Sequence, residues 1–456
     1  MQADPVVRVL GARERERVRL YSGLQMRGLA GAGGRTARDW VAAPATAVAT
    51  AIALLLAATS ATAQYNKTEP PKMPFRAGPL HLSPKLELRN AGRDSNVFLD
   101  PTDPLADTSI VVRGTVEGYV PVRRRVRLFG EAWLDWSYYR SLSTERSVDP
   151  GGRGRAEVDF GPLTLTAGGG ALQARQLYSI DIDERILRQE RWGNGGAEWR
   201  ATRRFLLSGG AEYRTYRYDP SARTSSGNPF AAASLNRNNL TGTVAARYKL
   251  TSMTTAIATG DVIEDEFQLS APGLSTTRSY RTMAGLEFGE KAFVTGRFLA
   301  GMRNFPAASS GSLPAYRGPT YTAQLALPLF NRLRLVGTLL RDVYVSAQAV
   351  RTAEERARNT YILTSLQGSA DIDLPLELLG RASVGFSEAN YLLPTTVSGV
   401  PFPRVDHLYT VGGSLLRRFS DSVRVGGTVT YYRRVSTVPL NSYDRWVYGV
   451  SAEIVP

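Results

Sequence analysis

From about residue 80 to its end, this chain alternates apolar and polar side chains with a period of two. That period belongs to an extended strand, whose successive side chains leave opposite sides of a pleated ribbon. The stretch Trp192 to Tyr218 shows it twice, as Gly195-Gly196-Ala197-Glu198-Trp199-Arg200 and Gly209-Gly210-Ala211-Glu212-Tyr213-Arg214, joined through Thr202-Arg203-Arg204. Ala197, Trp199, Phe205, Leu207, Ala211 and Tyr213 fall on one face. Glu198, Arg200, Ser208, Glu212 and Arg214 fall on the other. The unit is a hairpin with one apolar and one charged side, and most of the chain repeats it.

Eighteen such strands can be read, near 81–90, 109–120, 125–139, 153–160, 163–175, 191–201, 204–217, 238–249, 252–264, 278–288, 291–303, 318–327, 332–344, 359–371, 376–388, 406–417, 421–434 and 443–455. Each is about as long as the ~9–11 residues that carry a tilted strand across a bilayer, or slightly longer. In 252–264, Asp261 fits neither face cleanly. The count falls to sixteen if 153–160 and 163–175 form a protrusion instead of wall.

The connections alternate in length. Tight ones at Pro121 to Arg124, Gly161-Pro162, Thr202-Arg203, Leu250-Thr251, Gly289-Glu290, Phe330-Asn331, Pro375 and Ser420 interleave with long polar ones at 140–152, 176–190, 219–237, 265–277, 304–317, 345–358 and 389–405. Short turns at one rim and long loops at the other are the habit of outer-membrane barrels, and a soluble sandwich has no cause to sort its loops so. Aromatics form two bands. Trp136, Tyr138, Tyr139, Trp192, Tyr216, Tyr218, Tyr280, Tyr321, Tyr344, Tyr361 and Trp446 lie toward the long loops; Phe160, Trp199, Phe205, Tyr248, Phe288, Phe293, Phe330 and Phe419 lie toward the short turns. This predicts interfacial girdles.

The expected fold is therefore all-β: a single transmembrane up-and-down antiparallel barrel over 80–456. Hydrocarbon cannot solvate ionised groups, so the charged faces must look into an aqueous lumen. The pore-lining candidates are Arg113, Glu117, Arg127, Glu131, Asp135, Glu198, Arg200, Glu212, Arg214, Arg247, Glu287, Arg297, Arg303, Arg381 and Arg424.

At the front, Arg35 and Arg38 precede an apolar run from Val41 to Ala57, and Ala61-Thr62-Ala63 supplies small residues at the positions a signal peptidase reads. Residues 1–63 are expected to be an N-terminal extension and secretory signal, cut between Ala63 and Gln64, with 64–79 a periplasmic lead-in. This routes the chain to the outer membrane as an integral protein. The formal charge of +15 is spread along strands and turns outside the Arg-rich front, which is not the clustered stripe of a nucleic-acid binder.

Enzyme chemistry lacks its parts. There is no Cys, and the two histidines, His81 and His407, have no Ser or Asp partner in sequence, so neither a catalytic triad nor a thiolate site is expected. No cofactor is called for. The acidic groups Asp181/Asp183/Glu184 and Glu264/Asp265/Glu266 lack the ligand spacing of a calcium loop and read as solvated loop charge, with a bridge to lipopolysaccharide or Ca²⁺ as the other reading.

After the first strand comes Arg93-Asp94-Ser95-Asn96-Val97-Phe98, then Asp100-Pro101 and an acidic loop. A first strand entered through Leu82-Ser83-Pro84 and leaving through this string resembles the β-barrel porin 2 family over residues 80–456. The chain also resembles the eighteen-stranded barrels of Wzx/Wzy-type polysaccharide secretion. The resemblance implies a conduit for an exopolysaccharide or capsular polysaccharide. It would work as a single barrel in outer-membrane lipid and lipopolysaccharide, with a periplasmic polysaccharide export protein and an inner-membrane co-polymerase. A passive diffusion porin and a structural barrel with a closed lumen are the alternatives. The chain departs from the usual aromatic ending of membrane barrels, closing on Ile454-Val455-Pro456.

Overall fold

The computed structural model describes residues 73–177, 185–219, 236–267, 276–306, 314–330, 332–346, 360–397, 400–438 and 441–455. The expected signal segment, its cleavage site and most of the lead-in lie outside the described residues, as do Asp181, Asp183 and Glu184.

Nineteen strands form one antiparallel sheet; the short Phe75–Ala77 folds back on its successor, and the other eighteen close into an up-and-down barrel. The wall begins with Leu80–Asp94 and ends with Tyr443–Ile454. These two strands pair from Leu86↔Ile454 to Asp94↔Val447, across a bulge between Leu88 and Ala91. Closure leaves the eighteen-stranded wall no free edge, which a lipid environment demands because it offers backbone N–H and C=O groups no partner. Consecutive strands are neighbours throughout the wall.

The sixteen-strand alternative is overturned. Ser147–Asp159 and Leu163–Leu177 pair with each other and with the wall strands on either side. They are also longer than the sequence suggested. The segments expected as loops 140–152 and 176–190 contain strand from Ser147, through Leu177 and from Arg185. Asp149-Pro150-Gly151-Gly152 and Arg185 to Arg191 belong to the wall yet lack apolar alternation, so they read as loop. At the opposite rim the turn placed at Gly289-Glu290 spans 289–294. The tight turn at Pro375 holds Leu376 and Glu377 at φ 62° and 59°, and Phe330 sits at φ 52°.

The distribution of side chains inverts that of a water-soluble protein. Large apolar residues cover the outside in mid-strand, including Val116, Leu134, Val244, Leu366, Val384, Leu415 and Val450, and Val244 is 64% exposed. Most buried charged side chains stand on the opposite face. An apolar belt on the outside and charge on the inside is the arrangement of a barrel that crosses a membrane. The last strand presents Trp446, Tyr448, Val450 and Ile454 outward.

The aromatic bands divide. At the short-turn rim, Phe160, Trp199, Tyr248, Phe293, Phe330 and Phe419 are exposed, as a girdle requires. At the long-loop rim Trp136, Tyr280 and Trp446 are exposed, but Tyr139, Tyr216, Tyr218 and Tyr361 are buried. These tyrosines share the parity of inward ionic residues: Tyr216 lies two positions beyond Arg214, and Tyr139 four beyond Asp135. Height along the strand suggested the girdle; parity sends these rings inside.

Candidate functional site

Cross-strand register shows which of the predicted charged residues meet. Arg113 stands opposite Asp135 and binds it through two guanidinium nitrogens. Glu117 stands opposite Glu131, which Arg153 engages at 2.5 Å. Arg127 reaches both Glu157 and Asp159 at 3.2 Å. Arg214 bridges Glu212 and Glu190, each at 2.9 Å. Arg247 reaches over the intervening strand to Glu287 at 3.2 Å, and Arg297 stands opposite Glu287 in register. Arg381 pairs with Asp371, and Arg424 with Glu453 at 3.1 Å.

Arg303 is buried, donates to Ser279 Oγ at 2.8 Å and approaches Asp342 at 3.9 Å. Its neighbour Arg281 holds Asp261 and Asp342, both at 2.8 Å. This resolves Asp261: it faces inward, also accepting from Thr243 Oγ1 at 2.7 Å, in a strand whose other inward residues are largely uncharged. Arg200 departs from expectation. It follows the strand that ends at Trp199, is exposed, and its backbone N–H donates to Pro162 O in the tight turn, so it belongs to the rim. Glu198 forms no ion pair with another described residue.

Glu264, Asp265 and Glu266 are strand residues, not a loop cluster, and their side chains diverge to Arg278, Arg237 and Asn238. No group that could hold a metal occurs among the described residues. His81 lies within the first wall strand against Tyr119, and His407 lies near the opposite rim beside Glu388, at 3.7 Å, with Phe386 and Tyr409. The two occupy opposite rims of the wall.

The inward tyrosines, which charge alone did not reveal, hold cations against the wall. Arg185 lies over Tyr139 at 4.8 Å, Arg237 over Tyr216 at 4.7 Å and Arg404 over Tyr391 at 4.2 Å. Such contacts strengthen as water is excluded. Fully buried Arg404 and Arg434 both bind the fully buried carboxylate of Asp406, at 2.6 and 2.8 Å.

Between these ionic zones the wall is hydroxyl-rich. Ser365 and Ser369 face Ser387 and Ser383 across one strand pair, and Ser414 faces Thr428 across another. Diametric in chain order, three adjacent strands form an inward grid. Thr164, Thr166, Gly168 and Gly170 pair with Glu198, Gly196, Asn194 and Trp192. These pair in turn with Ser208, Gly210, Glu212 and Arg214. The repeated Gly-Gly-Ala-Glu units thus set Gly196 against Gly210, leaving a recess of about 140 Å³ in the wall. A Cβ on Gly210 would stand 3.0 Å from Gly195 O, so close backbone approach favours glycine there.

Among solved structures, the chain is similar to a mutant of the ferric enterobactin receptor PfeA from Pseudomonas aeruginosa in complex with enterobactin, at 8% identity over 82% of this chain and 81% of that one, TM-score 0.43. It is also similar to the siderophore receptor PirA from Pseudomonas aeruginosa, at 9% identity over 85% and 81%, TM-score 0.41. No curated protein matches the chain. A family model matches residues 165–454, beginning downstream of the Arg93 to Phe98 string that carried the resemblance in sequence. With the greater part of the chain inside that match, the protein belongs to the family described as Putative beta-barrel porin 2.

Proposed function

We propose that this outer-membrane barrel is a conduit for an exopolysaccharide or capsular polysaccharide, fed from the periplasm by an export protein docked at the short-turn rim. One observation carries the reading. The ionic groups of the inner wall largely neutralise one another as cross-strand pairs, while hydroxyls and small residues line the wall between them. A wall of that kind offers hydrogen bonds without a strong field of one sign, which suits a long hydrated polymer that must slide past without being trapped.

Deleting the gene in the native host tests this. The expected result is loss of surface polysaccharide, restored by the intact gene, with uptake of small hydrophilic solutes unchanged. Unchanged surface polymer with a fall in small-solute uptake would instead identify a passive diffusion porin.

A further inference from the structure

We propose that the recess floored by Gly196 and Gly210 is a subsite for one uncharged sugar ring of the passing polymer, with Glu198 and Asn194 as its recognition groups. The inference rests on the conduit reading and adds a place and a charge preference to it. A cavity of comparable size, ~150 Å³, accommodates a six-membered ring. The recess has about 140 Å³ and is open toward the bore.

Its polar groups divide into committed and free. Arg155 is held by Glu157 at 2.9 Å, and Arg247 by Glu287 at 3.2 Å and Ser208 Oγ at 3.0 Å. Thr164 Oγ1 donates to Asp159 at 2.6 Å. Glu198 and Asn194, four positions apart on one strand and both inward, make no side-chain hydrogen bond to another described residue. The lining arginines thus have partners of their own, Arg247 acting on Glu198 only beyond hydrogen-bonding range, and the groups without a side-chain hydrogen bond are a carboxylate and a carboxamide.

A carboxylate only accepts hydrogen bonds, whereas a carboxamide both donates and accepts. Adjacent hydroxyls of a sugar supply the donors Glu198 lacks, and its ring and hydroxyl oxygens accept from Asn194. A uronate would set its own carboxylate against Glu198, whereas the other carboxylate of the lining, Glu212, is held by Arg214 at 2.9 Å. Like charges at such range repel, so the subsite selects neutral sugars over acidic ones.

The test is block of ion current through the purified full chain in a planar bilayer, titrating maltohexaose and hexagalacturonate from the short-turn side. Maltohexaose is expected to block, and hexagalacturonate to bind about tenfold more weakly. Glu198→Gln should weaken maltohexaose about tenfold, the loss of one hydrogen bond to a charged acceptor, and should narrow the difference between the two sugars. Glu198→Asp keeps the charge and should retain more of the affinity than Glu198→Gln. Equal block by both sugars, or a Glu198→Gln barrel blocked as the native one is, overturns the subsite. A conducting barrel that neither sugar blocks overturns the subsite while leaving an open conduit. A barrel that passes no current overturns both proposals.

Discussion

Asp94, at the end of the first wall strand, accepts two hydrogen bonds from Arg445 in the last, at 2.9 Å from Nε and 2.5 Å from Nη2. The residues after Asp94 extend this clasp. Ser95 exchanges bonds with Trp446, through its N–H at 2.9 Å and its Oγ at 2.7 Å, and Asn96 donates to Asp444 O at 3.3 Å. Asn96 and Val97 are buried. Three consecutive residues of the Asp-Ser-Asn-Val-Phe string thus fasten the seam where the barrel closes.

Breaking one partner of a buried pair strands the other, at a cost of about 3 kcal/mol. Arg445→Ala and Asp94→Ala should each lower the urea midpoint of the lipid-reconstituted barrel, read from the shift between folded and unfolded bands on a cold gel. The exchange Asp94→Arg with Arg445→Asp should recover part of the loss. Single variants as resistant as the native barrel would mean the clasp contributes nothing to closure.

The two faces of one strand should respond oppositely to charge. Leu366 is exposed on the outside, and neighbouring Ser365 faces inward to Ser387 Oγ at 2.8 Å. Leu366→Arg should cost about 2–4 kcal/mol, the penalty for a cation on the lipid face near mid-bilayer. Ser365→Arg should cost clearly less. Equilibrium folding into vesicles in a urea titration measures both, and equal penalties would contradict the assigned faces.

Trp133 lies against Gly151 on the neighbouring strand, where an added Cβ would come within 2.3 Å of the indole. Gly151→Ala should therefore push the ring toward the bore and lower single-channel conductance, while Trp133→Ala in the same background should restore it. Conductance unaffected by Gly151→Ala would show that the ring has another place to go.

The loop after the first strand carries a pH-sensitive turn. Partial burial raises the carboxyl of Asp100, but the backbone N–H groups of Asp103 and Thr102 and the Thr102 hydroxyl outweigh it, holding the group below the ordinary carboxylate value. A depressed carboxylate stabilises the folded turn above its unfolded pKa of about 3.9, and that contribution fades as pH falls through the folded value. Amide exchange at Thr102 and Asp103 should be protected at neutral pH and accelerate, after correction for intrinsic rates, as the sample is acidified below the ordinary carboxylate range. Asp100→Asn should remove most of that pH dependence.

Much of this architecture is visible in the sequence because lipid contact imposes a period of two for the full length of every wall strand. Thr241, Thr243 and Arg247 need no tertiary knowledge to be set against Leu240 and Val244. The pattern fails where lipid no longer enforces it. Arg185 to Arg191 and Asp149 to Gly152 belong to wall strands but lack the greasy alternation that marks the belt. Parity alone sets Glu198, Glu212 and Arg214 on one face of their strands, and the register places Glu198 and Glu212 on either side of the Gly196 and Gly210 pair in the same hairpin. Arg200 escaped because a strand's end cannot be fixed to one residue by pattern. The partner of Asp94 was beyond reach, since Arg445 lies 351 positions away and only closure of the barrel brings them together.

The lipid belt, the ionic wall and the conduit all depend on which side of the barrel meets water. The native chain contains no cysteine, so single cysteines introduced along 193–198 report without background. In intact outer-membrane vesicles, a charged, water-soluble maleimide should modify Asn194→Cys, Gly196→Cys and Glu198→Cys and leave Gly193→Cys, Gly195→Cys and Ala197→Cys protected until detergent or denaturant is added. Labelling of the odd-numbered set with protection of the even-numbered one, or no alternation at all, would contradict a barrel with an apolar exterior and an aqueous bore.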